Sequence, residues 1–63
     1  MRLIRFEDIH GNETFINPDR LNFISDFGSG KTELNFGGKE AIVYVEMEVA
    51  AVAKALLKVS TDM

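Results

Sequence analysis

The chain has 63 residues, of which 46% are hydrophobic and 27% are charged, with a formal net charge of −3 and no cysteine. This composition is typical of one globular domain, excludes a disulfide framework, and disfavours nucleic-acid binding, which relies on clustered Lys and Arg. No segment has the roughly 18 apolar residues of a membrane span or the apolar core of a signal peptide, so we expect one cytoplasmic domain over residues 1–63.

The first part of the sequence predicts two strands joined by a turn. Residues 1–7 place Ile4 and Phe6 on one side and Leu3 on the other, as a strand does, and residues 13–17 form the second predicted strand. A two-residue turn at His10-Gly11 would set Asp8 opposite Glu13, and like charges opposite one another destabilise a strand pair. The register of this hairpin therefore stays open at this point.

A turn beginning at Asn17-Pro18 separates this hairpin from the rest of the sheet, because proline fixes a φ that suits a turn. Three further strands are predicted, over residues 20–27, 31–36 and 40–45. Gly37-Gly38 indicates a two-residue hairpin turn between the last two strands. Such a turn would pair Leu34 with Ala41.

The apolar period changes to that of a helix at about residue 46. Apolar side chains recur there at spacings of four and three residues, at Val45, Val49, Val52, Leu56 and Val59. Glu46 and Glu48 stand where acidic side chains complement the positive end of a helix dipole. The sequence therefore predicts an α+β fold, a small curved antiparallel β-meander of four or five strands with one C-terminal amphipathic helix.

The segment GSGKT, residues 28–32, ends as a nucleotide-binding P-loop does. Ser25 stands where a P-loop has its first glycine, and the residues after Thr32 alternate like a hairpin and do not begin a helix. A P-loop also requires a helix whose N-terminus faces the phosphate. We therefore interpret GSGKT as a hairpin turn and expect no nucleotide to bind.

The other polar residues do not form a recognisable catalytic or metal site. His10 lies among carboxylates in a turn, and Asp19, Asp26 and Glu33 fall in separate turns and strands. Solvated surface side chains account for them, and no Ser has the setting of an activated nucleophile. We expect a protein that is not an enzyme, with no catalytic residue, no metal ligand and no cofactor.

The apolar residues exceed what one contact between a sheet and a helix can bury. Neighbours in a strand point to opposite faces, so a second apolar surface is expected, and surplus apolar surface marks interaction sites. The candidate interface residues are Leu3, Ile42, Tyr44, Ala50 and Leu57. The sequence does not decide which of Phe15 and Ile16, or of Phe23 and Ile24, faces the core. A sheet that closes into a small barrel and buries both sets is the alternative.

The segments INPDRLNFI (residues 16–24) and KTELNFGGKEAIVYVEMEVAAVAKALL (residues 31–57) resemble the FlbD/SwrD-type family of small bacterial flagellar and swarming accessory proteins. Asn17-Pro18-Asp19 and Gly37-Gly38 match the turns of that family. The resemblance implies a non-enzymatic cytoplasmic accessory protein that works through protein contacts.

The function that we expect is therefore that of a small adaptor or regulator, acting as a homo-oligomer and on an unidentified protein partner. One alternative is a short phage or mobile-element accessory protein, either an assembly factor or a host-factor inhibitor. Another is a small nucleic-acid-binding barrel that combines stacking Phe side chains with four basic residues, Arg2, Arg5, Lys31 and Lys39.

Overall fold

The computed structural model describes residues 2–38 and 41–61, and the side chains of this part as far as residue 58. Five strands and two helices follow one another: β1 (Ile4–Glu7), β2 (Glu13–Ile16), a short 3-10 helix (Pro18–Arg20), β3 (Phe23–Gly28), β4 (Lys31–Asn35), β5 (Ile42–Val45) and α1 (Val49–Thr61). The strands form antiparallel sheets in the order β1-β2 and β3-β4-β5. The predicted α+β fold, antiparallel strands with one C-terminal helix, is confirmed.

The hairpin of β1 and β2 has a loop of five residues, and its register places Phe6 opposite Thr14. Asp8 closes this loop, because its backbone N–H donates to the carbonyl of Asn12 at 2.9 Å. Glu7, and not Asp8, is the carboxylate opposite Glu13. The guanidinium of Arg5 pairs with Glu13, so this cation offsets the repulsion between the two glutamates.

The hairpin of β3 and β4 turns at Ser29-Gly30, which connects the paired residues Gly28 and Lys31. Ser29 has a φ of 54° and Gly30 a φ of 74°, and tight two-residue hairpin turns require positive φ at both central positions. The pairing register shifts between Asp26 and Gly28, which marks a β-bulge at Phe27.

The hairpin of β4 and β5 differs from the prediction by two residues. Leu34 pairs with Val43 and not with Ala41, because Ala41 instead bonds Phe36 and closes a longer loop. Lys39 and Glu40, the predicted start of the fifth strand, lie outside the described residues. A shift of two residues leaves each side chain on its predicted face, since strand side chains alternate with a period of two.

Backbone hydrogen bonds join the two sheets where β1 ends and β5 ends. The N–H of Ile9 donates to the carbonyl of Tyr44 at 3.1 Å, and that of Glu46 donates to Glu7 at 3.0 Å. Asp8 and Val45 form an isolated bridge between these two bonds. The chain therefore brings β1 beside β5, and the strands follow one another in space as β2, β1, β5, β4 and β3.

The helix begins at Val49 and not at about residue 46, and Val45 is the end of the fifth strand, as the predicted strand of residues 40–45 has it, and not part of the helical stripe. Val45 is the last residue of β5, opposite Thr32, and is fully buried. The backbone hydrogen bond from Glu46 to β1 keeps the chain extended at this point, so helix formation starts only at Val49. Glu46 and Glu48 precede the helix, whose first turn has no acidic residue.

The core lies between the inner face of the sheets and α1. Its five hydrophobic members are at most 4% exposed: Phe6, Ile16, Leu34, Val45 and Val52. Ile24 packs against this cluster, whereas Phe15 and Phe23 are about half exposed. The structure thus places the isoleucine of each undecided pair inward. The side chain of Val59, the last member of the predicted stripe, lies outside the described part.

Thr32 is the buried polar residue of this core. Its hydroxyl donates a hydrogen bond of 2.7 Å to the carbonyl of Met47, in the segment between β5 and α1. The side chain is 0% exposed. The bond is partly buried, and an intramolecular hydrogen bond contributes about 0.5–1.5 kcal/mol, so it helps to hold the connection to the helix in place.

Replacement of Thr32 by Val is expected to lower the free energy of unfolding by about 0.5–1.5 kcal/mol, because the hydrogen bond to the Met47 carbonyl is lost. Chemical denaturation followed by circular dichroism measures the difference. Thr14→Val is the matched control, since the Thr14 hydroxyl bonds the Asn12 carbonyl in an exposed position. Equal losses in both variants would contradict a structural role for the buried bond.

Candidate interaction surface

The side of β3, β4 and β5 that is turned away from α1 carries large apolar side chains. Leu34 and Val43 point into the core, so the residues that alternate with them point outward. We name four of these residues the outer aromatic face: Phe23, Phe27, Ile42 and Tyr44. Phe23 is 50% exposed and Phe27 is 53% exposed, while Ile42 and Tyr44 are partly buried.

Two contacts organise the outer aromatic face. The rings of Phe27 and Tyr44 lie with their centroids 4.4 Å apart at an interplanar angle of 46°. Phe23 stands opposite Asn35, which in turn stands opposite Ile42. Phe27 lies at the bulge between Asp26 and Gly28, and its ring reaches Tyr44 on β5. The outer aromatic face therefore has its apolar side chains on β3 and β5, with Glu33 and Asn35 of β4 between them.

The five predicted interface residues fall on separate parts of the molecule. Ile42 and Tyr44 belong to the outer aromatic face. Leu57, 64% exposed, and Ala50 lie on α1, which packs on the opposite side of the sheet. Leu3 is 54% exposed and directly precedes β1. The structure does not bring these five side chains together.

Sequence reasoning missed Phe23 and Phe27 as members of the surface. The alternation along β3 could have placed Phe23 outward once Ile24 was known to face the core. The same alternation places Phe27 outward, since it lies four residues after Phe23 within the predicted strand of residues 20–27. The other exposed phenylalanine, Phe15, is on β2 and is 56% exposed.

The GSGKT segment has the geometry of a turn and not of a phosphate cradle. Lys31 lies with its Nζ 3.7 Å from Oε1 of Glu46, and the Thr32 hydroxyl is already bonded to Met47. A shallow cavity of about 220 Å³ separates the Gly28–Gly30 loop from the start of α1. Asp26 and Glu48 line this cavity, and two carboxylates disfavour an anion there.

The carboxylate near His10 has a structural role in the β1-β2 loop. Oδ1 of Asp8 accepts the backbone N–H of Asn12 at 2.8 Å and that of His10 at 2.9 Å. The backbone N–H of Asn12 is the main cause of the lowered pKa of Asp8, followed by that of His10. Within the described part of the chain, no group of three or more His, Cys, Asp or Glu side chains could hold a metal ion.

Two of the four basic residues considered for nucleic-acid binding, Arg5 and Lys31, stand next to acidic ones. Arg5 pairs with Glu13 and Lys31 lies near Glu46, while Lys39 lies outside the described residues. Phosphate recognition requires cations that are not already neutralised by carboxylates. These ion pairs therefore weaken the interpretation of the apolar surface as a stacking platform for bases.

Among the described residues, no helix is long and apolar enough to cross a membrane. Comparisons with protein-family models, with curated proteins and with solved structures give no match.

Proposed function

We propose that this protein is a non-enzymatic protein-protein interaction module that acts as a homo-oligomer through its outer aromatic face. The observation that carries the proposal is the position of Phe23, Phe27, Ile42 and Tyr44 on one side of the sheet. Two of these side chains are half exposed, while α1 covers the other side of the same sheet. Burial of apolar area is the main driving force of association.

The size of the chain supports a second copy as the occupant of this face. A 63-residue domain without disulfides buries a small core and is only marginally stable alone. Small domains gain stability by oligomerisation. A standard interface takes about 800 Å² from each partner, which is less than a fifth of the 4525 Å² surface of this chain. Homo-oligomer formation is therefore feasible at this size.

The cellular role follows from the resemblance in the turn and hairpin segments. We propose a cytoplasmic accessory protein of flagellar or swarming motility, which presents its oligomeric form to a protein partner. A phage or mobile-element accessory protein would use the same surface. Deletion of the gene, followed by a swarming assay, distinguishes these two roles. Loss of motility supports the motility role, and unchanged motility contradicts it.

Phe27→Ser is expected to weaken self-association, because it removes the ring that contacts Tyr44 on the outer aromatic face. We expect the wild type to elute at twice the 7.1 kDa chain mass in size exclusion with light scattering. The dissociation constant of the variant should rise by about tenfold or more, which corresponds to about 1.4 kcal/mol or more.

The matched control is Phe15→Ser, which removes a phenylalanine of similar exposure from the other hairpin. We expect this variant to associate like the wild type. A wild type that stays monomeric throughout the micromolar range would overturn the homo-oligomer. Equal weakening by both variants would overturn the assignment of the contact to the outer aromatic face.

A further inference from the structure

We propose that two copies of this chain pair through the free edge of β3, antiparallel, with the two-fold axis at Ser25. This inference rests on the proposed function, and it narrows the contact to the β3 side of the outer aromatic face, where Phe23 and Phe27 lie. It makes β3 and its copy the central strands of one continuous six-stranded sheet. The outer aromatic faces of both copies then lie on the same side of that sheet.

The backbone of β3 offers unused hydrogen-bonding groups along its outer edge. The carbonyl of Asn35 accepts the N–H of Asn22 at 2.7 Å, so the backbone of Asn35 points towards β3. Asn35 stands opposite Phe23, and the direction of backbone groups alternates along an antiparallel strand. Ile24 and Asp26 therefore point their N–H and C=O groups away from β4.

These four groups have no partner within residues 2–38 and 41–61. In that part of the chain, β3 is the last strand of its sheet, and no hydrogen bond outside the β3-β4 ladder reaches the backbone of Ile24 or Asp26. The Asp26 carboxylate is occupied by the N–H of Gly28 at 2.8 Å. An exposed edge of this kind is a template for another strand.

The sequence around Ser25 suits a second copy of the same strand. An axis at Ser25 sets Ile24 of one copy opposite Asp26 of the other, and their outward groups then form four hydrogen bonds. The same register sets Phe23 opposite Phe27 of the second copy, on the outer side of the sheet. Aromatic cross-strand pairs contribute about 0.2–1 kcal/mol each, and this arrangement contains two.

Other registers are less favourable for physical reasons. A shift of one residue brings outward-pointing groups opposite inward-pointing ones, so the hydrogen bonds are lost. A shift that centres the axis on Asp26 sets two carboxylates opposite each other, which is destabilising. A shift that centres the axis on Ile24 leaves Phe27 without an aromatic partner. The register centred on Ser25 avoids all three defects.

The contact area sets the expected strength of this dimer. A phenylalanine buries on the order of 200 Å², so four half-exposed rings contribute about 400 Å² between them. Edge residues and backbone add to this area, which places the contact near the lower end of specific interfaces. We therefore expect a dimer that dissociates at micromolar concentration.

Single-cysteine variants test the axis directly, since the native chain has no cysteine. In the proposed dimer the two copies of residue 25 form a non-hydrogen-bonded pair, with Cα atoms about 4.5 Å apart, which a disulfide can span. Ser25→Cys, oxidised by a glutathione redox buffer at micromolar protein concentration, is expected to form a covalent dimer. The control is Lys54→Cys, at an exposed position of α1; its covalent fraction should be lower by about tenfold.

A second pair of variants tests the edge itself. Asp26→Pro removes an outward backbone N–H, and proline is tolerated where a strand edge faces solvent. The control, Asp26→Ala, removes only the side-chain hydrogen bond to the N–H of Gly28. We expect the alanine variant to stay dimeric and the proline variant, with its cooperative thermal transition retained, to become monomeric.

The outcomes distinguish this inference from the proposed function. A dimeric wild type with no excess cross-linking of Ser25→Cys overturns the edge pairing and leaves the homo-oligomer intact. A folded Asp26→Pro variant that stays dimeric also overturns the edge pairing and leaves the homo-oligomer intact. A monomeric wild type overturns the homo-oligomer itself. Cross-linking of Ser25→Cys only to an added extended peptide that carries a cysteine would show that the edge serves another protein.

Discussion

Val52→Asp is expected to abolish the cooperative thermal unfolding of the domain. Val52 is 0% exposed and belongs to the core cluster with Leu34 and Val45. A charge at this position would be buried without a partner, which costs several kcal/mol. A chain of 63 residues is typically stable by about 3–9 kcal/mol. Circular dichroism followed with temperature should show no folded baseline for the variant.

Ala51→Asp is the control for this substitution. Ala51 is the adjacent residue of α1 and is exposed, and a negative charge near the N-terminus of a helix is slightly favourable. We expect the thermal unfolding midpoint of Ala51→Asp to stay close to that of the wild type. If Val52→Asp unfolds cooperatively at the wild-type temperature, α1 does not pack on the sheet through this residue.

Leu34→Ala is expected to lower the free energy of unfolding by about 2–5 kcal/mol, the range measured for buried leucines. Leu34 is 0% exposed at the centre of β4, between β3 and β5, so the surrounding strands cannot collapse into the space it leaves. Urea unfolding measures the loss as a lower midpoint at an unchanged slope.

Leu3→Ala provides the comparison at an exposed leucine. Leu3 is 54% exposed, and substitutions at such positions usually change stability by less than about 0.5 kcal/mol. The position of Leu34 in the core would be contradicted if the urea midpoint of Leu34→Ala equalled that of the wild type. Equal losses of unfolding free energy in both leucine variants would also contradict it.

Much of the fold could be predicted because the sequence alternates clearly. Thr32, Leu34 and Phe36 share one side of the fourth strand, and the structure buries the first two and packs the third against the core. Loop lengths were harder to predict from the sequence. The β4-β5 register differs by two residues from the Gly37-Gly38 prediction, since Ala41 bonds Phe36 and Gly38 instead of entering the sheet beside Leu34.

Val45 fits both the predicted fifth strand of residues 40–45 and the helical stripe, and the structure places it in the strand. It stands four residues before Val49, which fits a helical period, and two after Val43, which fits a strand. The sequence pattern around Val45 therefore fits a helix and a strand equally well. The decision comes from distant residues, since Val45 pairs with Thr32 and Asp8 and becomes fully buried. Tertiary pairing of this kind is not visible in a local window.

The candidate surface was only partly predictable for a similar reason. Ile42 and Tyr44 follow from the alternation of β5, and Phe23 and Phe27 follow from that of β3 only once Ile24 is known to face the core. The unpaired edge of β3 depends on strand order, and the order of strands in space is set by the contact between β1 and β5.

That contact between β1 and β5 also determines the order in which the chain can fold. Each hairpin closes over a few residues, but Asp8 and Val45 are more than thirty positions apart, and the entropy cost of closing a loop grows with its length. An isolated two-stranded hairpin is only marginally stable. We therefore expect the first hairpin, with Phe6 and Ile16, to join the domain only after β3, β4 and β5 have paired.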